Sequence, residues 1–227
     1  ATRMDLRGRA LTGLAQFIVT LGALLFLSAW SLRYWQGWLF LAVFSVAVTA
    51  ITLDLLRRDP ALLERRLRAG PGAEKEKSQK MIQAVANVAF IALIIVPGLD
   101  HRFGWSHLPP PLVLDGDCLV VIGLYIVFRV FRENSFTSGI IEVASDQRVI
   151  STGPYRIVRH PMYFGALVMM LGMPLALGSW WGLLCCLPLA GALVVRLIDE
   201  ERYLVKHLAG YGEYQSRTRY RLIPGLY

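Results

Sequence analysis

Apolar residues in this chain are gathered into long runs, separated by short polar stretches. The runs cover residues 11–32, 37–56, 81–99, 118–131, 161–177 and 180–198. Helices of about 20 residues cross roughly 30 Å of hydrocarbon, and most of these runs are close to that length. The pattern predicts an all-α, polytopic integral-membrane bundle of five to six transmembrane helices. The fourth run is short. The fifth and sixth turn at Gly178-Ser179, as a C-terminal helical hairpin that can sit shallower than a full crossing. Tyr34, Trp35 and Trp38 mark an interfacial turn between the first two runs. Between the second and third, Leu62, Leu63 and Leu67 recur at helical spacing and predict an amphipathic helix on the membrane surface, ended by Gly70-Pro71-Gly72. Pro109, Pro110 and Pro111 fall in a predicted loop over 100–117, and Asp115 and Asp117 read as outer caps of the fourth span.

Composition agrees with a membrane chain. Of 227 residues, 55% are hydrophobic, and the mean hydropathy is +0.48. This length predicts one structural domain, with 1–131 supplying the N-terminal spans and a basic loop. The net charge of +8 is unevenly placed. Cations crowd the N-terminus, 57–80, 132–159 and the C-terminal tail. The turn at Arg33, the Pro-rich loop and the Gly178 turn hold few. That bias predicts six crossings with both termini cytoplasmic, and the compact chain with its Arg-rich N-terminus points to a bacterial inner membrane. No aromatic-plus-basic pattern argues for nucleic acid. Cys118, Cys185 and Cys186 lie in apolar runs, are odd in number and have no metal-ligand spacing, which argues against both a disulfide framework and a metal site.

The candidate chemistry sits where the last two runs meet the basic side. Gly153-Pro154-Tyr155 is a turn signal. Arg159 and His160 then precede Pro161, well placed as the first residue of a helix. The free N–H groups of such a start suit an anion. The last run ends in Arg196 and Asp199-Glu200-Glu201, and Arg196 and Glu200, four apart, share a helix face. Taken singly, these residues are better explained as interfacial cations, a snorkelling ion pair and belt tyrosines.

Their ordered combination changes that balance. Gly153-Pro154-Tyr155, Arg159-His160-Pro161-Met162-Tyr163, Glu200-Glu201 and Tyr211 to Tyr214 with Pro224 resemble the signature of the isoprenylcysteine carboxyl methyltransferases, related to the phosphatidylethanolamine N-methyltransferases. The resemblance covers roughly 134–224. It implies S-adenosyl-L-methionine as methyl donor, a pocket capped by the C-terminal tail, and a hydrophobic or isoprenoid-like acceptor entering from the lipid bilayer. By position, Gln147, Arg148, Val149, Ile150, Tyr155, His160, Pro161, Met162, Tyr163 and Glu200 correspond to cofactor-binding residues, and Arg196 to an arginine at the acceptor. Residues 132–227 would then form the catalytic region, with Arg196 and Glu200 as its catalytic pair. This sequence departs from the pattern at Gln147-Arg148 and at Leu208-Ala209, where Phe-Gly is usual.

The chemistry fits. Methyl transfer from a sulfonium is an in-line displacement, so positioning supplies much of the rate. A carboxylate acceptor is already ionised near neutral pH and needs its charge steadied rather than a base. An amine acceptor would have to lose a proton, with His160 or Glu200 as candidates. The expectation is therefore a membrane methyltransferase acting on a lipid-soluble carboxylate. A lipid amine N-methyltransferase is the nearest alternative. An NADPH-dependent sterol-type reductase shares the Arg-His-Pro-x-Tyr turn but has an acid after the following Gly, where Ala166 stands here. A transporter or scaffold is disfavoured because charges lie at the ends of the spans.

Overall fold

In hydrocarbon a backbone has no water to bond, so each apolar run must satisfy its amides within a helix. The computed structural model describes residues 5–67, 77–137, 143 and 147–226, and among these it contains helices and no strand. In chain order they are α1 (Leu6–Ala29), α2 (Trp35–Arg58), α3 (Pro60–Leu67), α4 (Lys77–Phe103), α5 (Pro110–Glu133), a 3-10 turn (Gly153–Arg156), α6 (Pro161–Ala176), α7 (Gly182–His207) and α8 (Tyr211–Arg217). Five of them (α1, α2, α4, α5 and α7) are long and apolar enough to cross a membrane. At 1.5 Å per residue the 16-residue α6 is about 24 Å long, short of a full crossing. The all-α expectation and the range of five to six spans are met.

Two local readings are corrected. The fourth span is not short: α5 has 24 residues, starting inside the proline cluster. Proline costs nothing at the first helical positions because its missing N–H would have no partner there. Asp117 is consequently not a cap. It lies two turns into α5, buried, and neither carboxylate oxygen has a hydrogen-bond partner among the described residues. The surface helix expected after the second span exists as α3, but Leu62 and Leu63 turn inward, against Leu55, Phe131 and Ala10, while Leu67 is exposed. Asp59 caps α3 by accepting from the Leu62 N–H at 2.9 Å. The Gly70-Pro71-Gly72 stop lies outside the described residues.

The core runs along the inner faces of α1, α2, α4, α5, α6 and α7, from Leu25 and Phe40 to Met173 and Leu193. Apolar burial drives little association between helices in lipid, so close backbone contact matters more. The α5–α6 pair has it. A Cβ on Gly123 would lie 2.5 Å from the Gly165 carbonyl, and one on Gly172 would lie 2.6 Å from the Gly116 carbonyl. Each helix thus offers two glycines seven residues apart, and the antiparallel helices meet backbone to backbone at both. At the far end of the bundle, Asp100 gathers Ser106 and Ser179. Its carboxylate accepts from the Ser106 amide and hydroxyl, each at 2.6 Å, and from the Ser179 hydroxyl. This fixes the α6–α7 turn, where Gly178 takes a left-handed φ of +71°.

If the glycine contacts set the α5–α6 distance, Gly123→Leu lowers stability in detergent by about 3 kcal/mol or more, because the helices must separate. Gly191→Leu, at a position with nothing within 4 Å of a new Cβ, leaves the thermal melt unchanged within error.

Candidate active site

The turn before α6 is built from both sides. Gly153 takes a left-handed φ of +55°, and a Cβ there would come within 2.6 Å of the Glu133 carboxylate at the end of α5. Glu133 also accepts from the Thr152 hydroxyl. The Asn134 side-chain amide donates to the Tyr155 hydroxyl at 2.9 Å. The chain then reaches Arg159 and His160, whose N–H groups donate to the carbonyls of Tyr220 and Arg221, both at 2.9 Å. Pro161 opens α6 as expected.

These elements enclose a cleft open on one side. Gln147, Arg148, Val149, Ile150, Tyr155, His160, Pro161, Met162, Tyr163, Arg196 and Glu200 all line it. Every candidate site residue read from the sequence is therefore in one place, although the residues come from three separate segments. Leu204, Leu208, Tyr211 and Tyr214 complete the wall. Tyr214 donates to the Tyr155 carbonyl at 2.7 Å and holds α8 against the turn. Burial raises the Tyr155 and Tyr211 hydroxyls above the ordinary tyrosine range and pushes Tyr214 up to about 12, so all three remain neutral at physiological pH. The Tyr211 hydroxyl is buried at the cleft with no hydrogen-bond partner among the described residues.

The double acid divides its work. Adjacent helical residues point about 100° apart, a consequence of 3.6 residues per turn. Glu200 faces the cleft, where it accepts from the Tyr163 hydroxyl at 2.5 Å. Arg196, one turn earlier, also lines the cleft and donates to the Gln79 side-chain oxygen at 3.4 Å. Gln79 in turn donates to Asp199 at 2.7 Å. Arg196 and Glu200 thus share the cleft wall, as their four-residue spacing on one helix face implied.

Glu201 turns away from the cleft and into the tail. It is 5% exposed. It accepts from Arg159 Nε at 2.6 Å and from Arg221 Nε at 3.0 Å, and His160 Nε2 lies 3.2 Å from it. Arg159 Nη1 donates to tail carbonyls, including that of Thr218 at 3.0 Å. Arg159 is therefore a structural cation, already matched by Glu201, rather than an open anion site at the start of α6. Sequence reasoning missed Glu201's partners and the Tyr211 hydroxyl. The doubled acid was a signal for the former, because two adjacent carboxylates on one helix cannot face the same way.

Removing one partner from a buried ion cluster leaves unmatched charge. Glu201→Gln is expected to cost about 3–5 kcal/mol and to expose the segment after α7 to protease. Glu213→Gln, whose partner Arg217 is exposed, should leave both the melt and the digestion pattern unchanged.

Comparison with known proteins agrees with this geometry. Residues 112–211, a little under half of the chain, match the family model described as Phospholipid methyltransferase. The match runs from α5 through α7 into α8, so it takes in most of the residues around the cleft. The chain is also 32% identical to mouse (Mus musculus) Delta(14)-sterol reductase TM7SF2 over 148 residues. That alignment takes in 57% of this chain and 35% of the mouse protein, so the chain spans about a third of that relative's length. Most of the segments that line the cleft thus fall within the region similar to the Phospholipid methyltransferase family model.

Proposed function

We propose that the chain is an integral-membrane methyltransferase that uses S-adenosyl-L-methionine and methylates a lipid-soluble acceptor, a carboxylate as in isoprenylcysteine carboxyl methylation. The observation that carries this reading is the gathering of Arg196, Glu200 and Tyr163 at one wall of the cleft, with the Tyr163 hydroxyl donating to Glu200. The donor set suits the cofactor. Glu200 matches an ammonium or ribose hydroxyl, the tyrosine faces suit a purine, and the buried Tyr211 hydroxyl has no partner among the described residues. Gln147, Arg148, Val149, Ile150, Tyr155, His160, Pro161 and Met162 complete that pocket. When bound, the cofactor would supply an electrophilic methyl group on a sulfonium.

The chain's own residues then position, steady and exclude water. Arg196 holds the acceptor's anionic oxygen without protonating it. Gln79, bonded to both Arg196 and Asp199, holds the Arg196 side chain in place on α7. The tail closes the cleft through Tyr214 and the Glu201 cluster, which removes solvent that would weaken these electrostatic contacts. For an amine acceptor Glu200 is the candidate base, because His160 is already turned to Glu201.

A sterol-type reduction with NADPH is the second reading, favoured by the similarity to the mouse sterol reductase. NADPH carries several phosphate charges, and Arg159, the best-placed cation beside the turn, is matched by Glu201. That weighs toward the smaller, less anionic cofactor.

Calorimetry with the purified protein is expected to show S-adenosylmethionine binding, and NADPH should give no thermal shift at the same concentration. Glu200→Ala should weaken S-adenosylmethionine about tenfold or more. Arg196→Ala should leave that affinity nearly unchanged and lower acceptor turnover instead. Binding of NADPH in place of S-adenosylmethionine would overturn the methyl-transfer reading.

A further inference from the structure

Asn134 follows directly on α5 and lines the cleft together with Tyr155. The motif residues do not include it. Its side chain makes two hydrogen bonds of opposite polarity. Oδ1 accepts from the Phe136 amide at 2.9 Å, and Nδ2 donates to the Tyr155 hydroxyl at 2.9 Å. The first bond fixes the second. A backbone N–H can only donate, so the carboxamide oxygen must face Phe136 and the NH2 group must face Tyr155. The Tyr155 hydroxyl is therefore an acceptor toward Asn134, and its own proton has to point elsewhere. Among the described residues none accepts that proton. The tyrosine itself is held firmly. Tyr214 donates to its carbonyl at 2.7 Å, and its ring packs against the cluster of Leu208, Tyr211 and Tyr214. Burial keeps the phenol protonated, so the proton is there to give.

In an open cleft water can take such a proton. A molecule that fills the cleft displaces the water, and a donor left without an acceptor is then costly. We infer that Asn134 is a positioning residue: it aims the Tyr155 hydroxyl proton at the molecule held in the cleft, and so selects a ligand with a hydrogen-bond acceptor at that point. Identifying that molecule as S-adenosylmethionine rests on the methyl-transfer reading. Its purine nitrogens, ribose oxygens and carboxylate can accept a hydrogen bond, whereas its ammonium and sulfonium cannot. The direction of the hydroxyl rests on Asn134 and Phe136 alone.

The full chain in a neutral maltoside detergent would be titrated by calorimetry with S-adenosylmethionine and, separately, with NADPH. Asn134→Asp is the main variant. It keeps an oxygen for the Phe136 amide but cannot donate to Tyr155, so it draws the phenolic proton to itself. Affinity for S-adenosylmethionine should fall about tenfold, even though an added negative charge by itself favours a cation. Tyr155→Phe should lower it by a similar factor. In the Tyr155→Phe background, Asn134→Asp should weaken binding by less than about twofold, because the proton it redirects is gone. A merely structural Asn134 would give the same loss in both backgrounds. If Asn134→Asp melts markedly lower than the parent, Asn134→Ala takes its place in the cycle. A smaller loss of about threefold is then expected, because the proton is freed rather than captured. Binding of S-adenosylmethionine with no loss in the Asn134 variant, or with an equal loss in the Tyr155→Phe background, overturns the proposal and leaves the methyl-transfer reading standing. Binding of NADPH in its place overturns the methyl-transfer reading, and the same cycle run with NADPH then supports or overturns the role of Asn134. Binding of neither overturns both.

Discussion

The polar end of this molecule depends on one buried carboxylate. Glu201 ties together three segments: the end of α7, the turn before α6, and the stretch of chain after α8. A buried charge is tolerable only when matched, and Glu201 is matched by two guanidinium groups with a histidine beside them. The main-chain bonds from Arg159 and His160 to Tyr220 and Arg221 run alongside. The cleft's shape follows from this cluster, because the wall carrying Tyr211 and Tyr214 is held where Glu201 holds the tail.

Below the cluster a different kind of contact takes over. Gly116 and Gly123 on α5 meet Gly172 and Gly165 on α6 with almost no space between main chains. That closeness fixes the direction in which α6 leaves its first turn, and so where Met162 and Tyr163 point. The far end is fixed by Asp100 with its two serines. A carboxylate with several donors organises each end of the hairpin, and the glycines lock the middle.

Much of this was legible in the chain. The spans are visible because hydrocarbon imposes a length on apolar runs, and the hairpin turn because Gly178 needs a left-handed backbone. The cleft residues were found through their order along the chain rather than their individual chemistry, since His160 or Tyr163 alone is an ordinary interfacial side chain. What stayed hidden depends on tertiary contact. Proline at the start of α5 looks like proline in a loop until the helix behind it is seen. Glu200 and Glu201 look alike until the helix turns them apart. Asn134 is one polar residue at a helix end, and only the fold sets its amide against Tyr155.

The shortness of α6 sets the level at which chemistry can occur. A helix about 24 Å long whose far end is pinned beside the turn at Ser179 does not reach the opposite water boundary of a layer about 30 Å thick. With the Ser179 turn at one water boundary, its first residues, and the floor of the cleft with them, would lie below the plane of the lipid headgroups. A water-borne cofactor would have to descend a few ångströms to reach Tyr163. A tailed acceptor would have no climb to make: it could arrive by lateral diffusion and leave the same way.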